Sequence, residues 1–80
     1  MTVHLLLFGI CKDIIGNSSV TFELRDGSTA GYLMKELVIN YPKLSELNSI
    51  ALAVNGEYAQ SDTILKISDE IALIPPVSGG

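Results

Sequence analysis

The dipeptide Asn55-Gly56 constrains the fold of this chain more than any other feature of its sequence. It lies between two apolar arms in the segment SIALAVNGEYAQ. A two-residue hairpin turn of type I′ needs positive φ at both central residues, and Asn-Gly is a preferred pair for it. The arms are therefore predicted to form neighbouring antiparallel strands, so the chain must build a sheet.

Three further stretches have the pattern of strands. Residues 3–8 form a continuous apolar run, as expected of a strand covered on both faces. Residues 20–24 alternate apolar and polar side chains, which indicates a half-buried strand, and 9–18 are predicted to be a long connection between these two strands. Residues 71–74 predict a last buried strand, preceded by a short apolar segment at 64–67.

One amphipathic helix is predicted between the second and third strands. Thr29 is a suitable N-cap because its hydroxyl can accept a hydrogen bond from an amide of the first turn. Pro42 ends the helix, since the residue before a proline avoids the helical region. The apolar stripe has helical spacing and comprises Ala30, Leu33, Met34, Leu37, Val38 and Tyr41.

These elements predict an α+β domain in which the helix covers one face of a small mixed sheet. We expect the domain to span residues 1–74 and an extended, flexible C-terminal tail to span 75–80. The predicted core packs the apolar side chains of the helix against those of the strands. Its members are Leu33, Met34, Leu37 and Val38 on the helix and Leu5, Leu7, Phe22, Leu24, Leu52, Val54, Ile71 and Leu73 on the strands.

Composition excludes several classes of function. The net charge is -4, and the five basic residues stand far apart, so the clustered cations that bind nucleic acids or anionic membranes are missing. A basic protein surface is the partner that this charge favours. A single cysteine fits a reducing compartment, and no apolar stretch approaches the roughly 20 residues that span a bilayer. We expect a cytoplasmic protein without a signal peptide.

Side chains suited to catalysis are few and isolated. His4 is a lone histidine in a strand, for which a structural or exposed position is the simpler interpretation. Cys11 could act as a nucleophile or persulfide carrier, but only Lys12 stands near it to activate the thiol. Asp69 and Glu70 point to opposite faces if they lie on a strand, so a polar turn is the better interpretation. We therefore predict no metal site and no catalytic constellation within the domain.

The last six residues, PPVSGG, have an unusual combination of properties. Pro75 and Pro76 cannot donate backbone hydrogen bonds and stiffen the exit from the sheet. Gly79 and Gly80 lack side chains, so they fit a channel too narrow for other residues. The tail reaches roughly 20 Å from the fold, and its reactive group would be the Gly80 carboxylate. Two interpretations stay open at this point, a frayed terminus and a tail that enters another protein's active site.

The segments DEIALIPPVSGG, AVNGEY and LLLFG together resemble the small subunit of molybdopterin synthase over nearly the whole chain. The segment LFGICKDIIG is similar to the family's aromatic–small–basic pattern, with Phe8, Gly9 and Lys12 in the matching places. Ser68 departs from the glycine usual before the acidic pair. The resemblance implies a ubiquitin-like β-grasp fold and a sulfur carrier.

The chemistry that this resemblance implies takes place at Gly80. An E1-like adenylyltransferase, using ATP and magnesium, would adenylate the Gly80 carboxylate. A persulfide protein would supply the sulfur of a thiocarboxylate. The tail residues Gly79, Ser78 and Val77 would then enter the large synthase subunit, within a heterotetramer, and sulfur would pass to a cyclic pyranopterin monophosphate to build the molybdopterin dithiolene. No cofactor is expected to bind to this chain itself.

The predicted partner surface surrounds the start of the tail. It consists of Phe8, Tyr58, Ile74, Pro75 and Pro76, together with Val77, and Phe8 and Tyr58 are matched to interface positions by the resemblance. A core position for Phe8 is the alternative. Other carriers stay open as alternatives, namely those of thiamine synthesis and tRNA thiolation, as does a ubiquitin-like protein modifier or a plain structural domain.

Overall fold

The computed structural model describes residues 1–76 of the chain. Within that part it contains five strands, two α-helices and one 3₁₀ helix. They follow one another as β1 (Thr2–Leu7), α1 (Gly9–Ile15), β2 (Ser19–Glu23), α2 (Ala30–Asn40), a 3₁₀ helix (Pro42–Glu46), β3 (Ala51–Val54), β4 (Glu57–Tyr58) and β5 (Ile71–Ile74).

The strands form a single mixed sheet in the order β2-β1-β5-β3-β4. The first and last strands in the sequence, β1 and β5, lie side by side and run parallel. All other neighbours pair antiparallel. The predicted α+β class with a β-grasp arrangement is confirmed. Because β5 lies in the middle of the sheet, the tail leaves the fold from a central strand.

The predicted Asn55-Gly56 turn joins β3 to β4. Asn55 has φ of 54° and Gly56 has φ of 84°, so both residues have the positive φ that the turn requires. The Asn55 side chain also holds the turn before β5: its amide donates to Asp69 at 2.9 Å, and its oxygen accepts from the Glu70 amide at 2.9 Å. Ser68 is not among the residues with positive φ, so the turn needs no glycine there.

The prediction of a plain connection over residues 9–18 was wrong, because α1 forms within it. The helix is only seven residues long and ends at Gly16, whose φ of 87° allows its amide to donate to the Lys12 carbonyl at 2.7 Å. Cys11, Ile14 and Ile15 have the three- and four-residue spacing of a helix face. That signal was available, but so short a helix is unstable without tertiary packing.

The main helix, α2, begins and ends close to the predicted residues. The Thr29 hydroxyl caps it by accepting from the Tyr32 amide at 3.2 Å. The helix ends at Asn40, and Pro42 starts a 3₁₀ helix that packs on α2 and α1. This additional turn of chain places Leu44 in the core, where it is 1% exposed.

The predicted core is largely the observed one. Leu33 and Leu37 of α2 are fully buried against the inward side chains of β1, β3 and β5. Four predicted members lie at the margin and are half-buried, namely Met34, Val38, Phe22 and Val54. The buried core also contains five side chains that were not predicted, namely Val3, Cys11, Ala30, Leu44 and Leu65. Cys11, Leu44 and Leu65 join the core because α1, the 3₁₀ helix and the segment before β5 pack on it, whereas Val3 and Ala30 add to it from β1 and α2.

Candidate partner-binding face

Side chains alternate between the two faces of the sheet, and the second face carries the candidate site. In β1, Leu5 and Leu7 point into the core, so Leu6 between them points outward. The pairing register continues this outward row across the sheet: Leu6 lies opposite Ala72, Ala72 opposite Ala53, and Ala53 opposite Tyr58. We call this side of the sheet the outer face. In the described residues it carries neither of the two α-helices, whose buried residues belong to the core on the other side.

The outer face contains a shallow apolar depression of about 340 Å³. Its floor is formed by alanines, because Ala53 and Ala72 present only methyl groups on adjacent strands. Larger side chains enclose the floor. The lining residues are Leu6, Phe8, Ala53, Gly56, Tyr58, Glu70, Ala72 and Ile74.

Three of the predicted partner-binding residues line this one depression. Phe8 is 48% exposed, so it is not a core residue, and Tyr58 is 72% exposed. Ile74, the last residue of β5, is half-buried beside them. Pro75 and Pro76 follow directly and are also half-buried. The structure thus brings these side chains together next to the start of the tail, and their role in binding stays a prediction.

The four remaining predicted tail residues, Val77, Ser78, Gly79 and Gly80, lie outside the described residues. Their assignment as the sulfur-bearing end of the chain therefore stays a prediction.

Sequence reasoning missed most of the floor of the depression. Leu6, Ala53 and Ala72 were not assigned to the partner surface, although each is next to a core residue in its strand. Alternation along a strand would have placed all three outward. Glu70 was interpreted only as part of a polar turn, and its exposed side chain in fact lines the depression. Glu70 is the only one of these lining residues that has a carboxylate, so the depression has one acidic group at its edge.

The isolated candidates for catalysis are not brought together into one site. Cys11 is fully buried in the core, and this burial raises the pKa of its thiol. His4 is exposed on β1 and points to the outer face, two residues before Leu6, but it does not line the depression. Asp69 stabilises the turn before β5, where its carboxylate accepts from the Lys66 amide at 2.8 Å. Residues 1–76 include no group of three or more histidine, cysteine, aspartate or glutamate side chains placed to hold a metal ion.

None of the helices formed by residues 1–76 has the length and apolar character needed to cross a membrane.

Comparison with known proteins assigns the chain to a family. The model of the ThiS family matches residues 5–80. The molybdopterin synthase sulfur carrier subunit of Dictyostelium discoideum is 45% identical over 80 residues, which cover 95% of this chain and 93% of that protein.

Solved structures share the fold over the full chain. The crystal structure of SAMP1 from Haloferax volcanii has a TM-score of 0.84 and 29% identity, with all of both chains covered. The complex of subunits 1 and 2 of the molybdopterin-converting factor from Helicobacter pylori contains a chain with a TM-score of 0.66 and 27% identity, again with all of both chains covered. The family match, the identity to a curated carrier and the shared fold agree: this chain belongs to the ThiS family, among the molybdopterin synthase sulfur carrier subunits.

Proposed function

We propose that this chain carries sulfur as a thiocarboxylate on Gly80 and donates it, in complex with a large synthase subunit, to a cyclic pyranopterin monophosphate. The product is the dithiolene of molybdopterin, whose two sulfur atoms require two thiocarboxylated carriers. The observation that carries the proposal is the apolar depression beside the start of the tail, in a chain of this family. A partner seated on the depression would receive the tail that leaves β5 at its margin.

The chemistry assigned to Gly80 needs no catalytic side chain on this domain. A carboxylate is a poor electrophile, and adenylation by ATP gives its carbon a good leaving group. The terminal sulfur of a persulfide attacks that carbon, AMP leaves, and a second thiol cleaves the resulting acyl disulfide to release the thiocarboxylate. The thiocarboxylate is an anionic sulfur nucleophile, so it needs no general base. ATP, magnesium and pterin would be bound by the partner proteins.

The partners follow from these steps. A large synthase subunit as partner is supported by the similar Helicobacter pylori protein, which was solved in a complex of subunits 1 and 2. A heterotetramer, an E1-like adenylyltransferase and a persulfide protein are further parts of the proposal, as is a cytoplasmic location. The large subunit and the adenylyltransferase both have to receive the tail beside Phe8 and Tyr58. We therefore expect them to compete for this one face.

Competition is tested by analytical sedimentation of the three proteins together. Two separate binary complexes are expected, with no ternary species at any ratio of the partners. A ternary complex that contains one carrier and both partners would show that the two proteins use different surfaces.

A second candidate function is protein modification, which the similarity to SAMP1, named a small archaeal modifier protein, favours. In that function the activated Gly80 would form an isopeptide bond with a lysine of another protein. Sulfur delivery for thiamine or tRNA thiolation is a closer variant of the carrier. Mass spectrometry of the protein from cells separates the classes, because a thiocarboxylate adds the mass difference between sulfur and oxygen and a conjugate adds a whole protein.

Altering the chain end at Gly80 tests the main proposal. Deleting Gly80 withdraws the reactive carbon by about 3–4 Å, and a displacement of 1 Å already costs ~100-fold in rate. Adding one residue after Gly80 places its carbon in an amide and should be as damaging. We expect both variants to keep the wild-type melting temperature and to lose molybdopterin formation in a reconstituted assay with the adenylyltransferase, a persulfide donor and the large subunit.

The matched control is Cys11→Ala, which removes the only cysteine and should keep the rate of molybdopterin formation. If the Gly80 variants instead made molybdopterin at the wild-type rate while Cys11→Ala lost it, the sulfur would be carried by Cys11 and the proposal would be wrong.

A further inference from the structure

The first proline of the tail lies next to the glycine that begins α1. A Cβ built on Gly9 would lie 3.2 Å from Cγ and 3.7 Å from Cβ of Pro75. A contact of 3.2 Å is tighter than nine in ten real Cβ contacts, so the proline ring would have to move by a few tenths of an ångström. Gly9 also has φ of 54°, which lets the chain turn from β1 into α1. The missing side chain at position 9 therefore leaves the space that the Pro75 ring partly occupies.

The position of the Pro75 ring determines the direction in which the tail starts. On one side of Pro75, Ile74 is held in the sheet opposite Ala51. The Pro75 ring itself fixes φ near −65°, so the chain cannot adjust by rotating about the N–Cα bond of this residue. A displacement of the ring is therefore passed on to the residues that follow it.

We infer that Gly9 is a positioning residue for the tail and acts through Pro75. The space left by its missing side chain sets the angle at which the tail leaves β5 relative to the outer face. Phe8, which precedes Gly9, lines the depression on that face. The connection between β1 and α1 therefore contributes both to the depression and to the direction of the tail. The inference rests on the proposed function, because the exit angle affects a rate only if the tail has to reach a partner's active site.

The test is Gly9→Ala, with Gly16→Ala as the matched control. Gly16 terminates the same helix with φ of 87°, and a Cβ there would meet nothing within 4 Å. Both substitutions place alanine at a positive φ and should lower the unfolding midpoint by similar amounts. Only Gly9→Ala displaces Pro75. If the rate falls ~100-fold for a displacement of 1 Å and the loss is exponential in distance, a displacement of the tail by about 0.3 Å lowers the rate roughly fourfold.

The kinetic measurement is sulfur transfer from the thiocarboxylated protein to cyclic pyranopterin monophosphate, with the large subunit in complex. We expect Gly9→Ala to lower kcat about fourfold with a smaller change in the KM for the carrier, and Gly16→Ala to leave both near wild type. Pro75→Ala removes the Cγ atom that the new methyl group would meet. The double variant Gly9→Ala/Pro75→Ala should therefore be no slower than Pro75→Ala alone. Equal rates for Gly9→Ala and Gly16→Ala would overturn the inference.

A second measurement does not depend on activity. In the amide spectrum of the free protein, Gly9→Ala should shift the Val77 resonance, whereas Gly16→Ala should not. An unchanged Val77 resonance in Gly9→Ala would overturn the inference even if the wild-type protein proved active. A wild-type protein that transfers no sulfur would instead overturn the proposed function, so the two failures are distinguishable.

Discussion

Around the depression, the two faces of the sheet differ in the size of their side chains. The inner face carries leucine and isoleucine, such as Leu5, Ile71 and Leu73, which are fully buried beneath the chain's own helices. The outer face carries alanines on β3 and β5, with Phe8 and Tyr58 exposed beside them. Large side chains fill space within the domain, whereas small ones between large ones leave a concave apolar surface.

This difference indicates that the two faces contribute to different properties. A buried leucine contributes to stability because its removal leaves a cavity. An exposed aromatic side chain contributes little to stability and much to association, since interfaces are anchored by aromatic residues in desolvated pockets. Variants on the two faces should therefore separate stability from binding, and the following predictions test that separation.

The largest effect is expected on the inner face, at Leu37. This side chain is 0% exposed in the middle of α2, and Leu37→Ala should lower the free energy of unfolding by about 2–5 kcal/mol. Ile39 on the same helix is 61% exposed and provides the control, because Ile39→Ala should change stability by no more than about 0.5 kcal/mol. Urea denaturation measures both. Equal midpoints for the two variants would contradict the assignment of the inner face.

On the outer face, Tyr58→Ala should weaken binding without destabilising the domain. Truncating an aromatic anchor in an interface typically costs about 2 kcal/mol or more, roughly 30-fold in Kd. Titration calorimetry with the large subunit measures this. Ile67 is the control because it is 70% exposed but does not line the depression, so Ile67→Ala should retain wild-type affinity. A loss of affinity in Ile67→Ala and not in Tyr58→Ala would move the interface away from the outer face.

A smaller effect is expected at Asp69, whose hydrogen bonds join the β3–β4 turn to the start of β5. Its carboxylate accepts from the Asn55 side chain and from the Lys66 amide. Asp69→Ala should cost about 1.5 kcal/mol in the free energy of unfolding, the lower end of the range for hydrogen bonds to charged groups, because the site is partly exposed. Asp62 is exposed, and Asp62→Ala should leave the urea midpoint unchanged. Faster hydrogen exchange at Glu57 and Tyr58 in Asp69→Ala alone would locate the effect.

The smallest effect is a pH dependence from Cys11 on the inner side of the domain. Burial raises the pKa of its thiol above the ordinary value of 9.0, so the folded state disfavours the thiolate. Well below pH 9 the thiol holds its proton in both the folded and the unfolded state, and it leaves stability unaffected. Above pH 9 the thiol loses its proton in the unfolded state before it does so in the folded state, so stability should fall as pH rises. Cys11→Ala should remove this part of the pH dependence, as measured by urea midpoints between pH 8 and about 10.

The part of the fold predicted from sequence depends on short-range interactions. Asn55-Gly56 predicts its turn because positive φ is accessible to these two residues without strain. Thr29 and Pro42 mark α2 because capping and proline geometry act within one turn of chain. Alternation along 20–24 and the apolar run at 71–74 predict β2 and β5 for the same reason. The residues around the start of the tail followed from the resemblance, not from these local patterns.

What only the tertiary structure decided depends on residues far apart in the sequence. Helix α1 exists because the core covers Cys11, and Leu65 is buried while its neighbours Ile64 and Ile67 are 59% and 70% exposed. The depression arises because parallel pairing of β1 with β5 brings Leu6 beside Ala72. The closeness of Gly9 to Pro75 likewise depends on residues that are far apart in the sequence. Local patterns specify which side chains point to the same face, but only the order and register of the strands determine which of them meet.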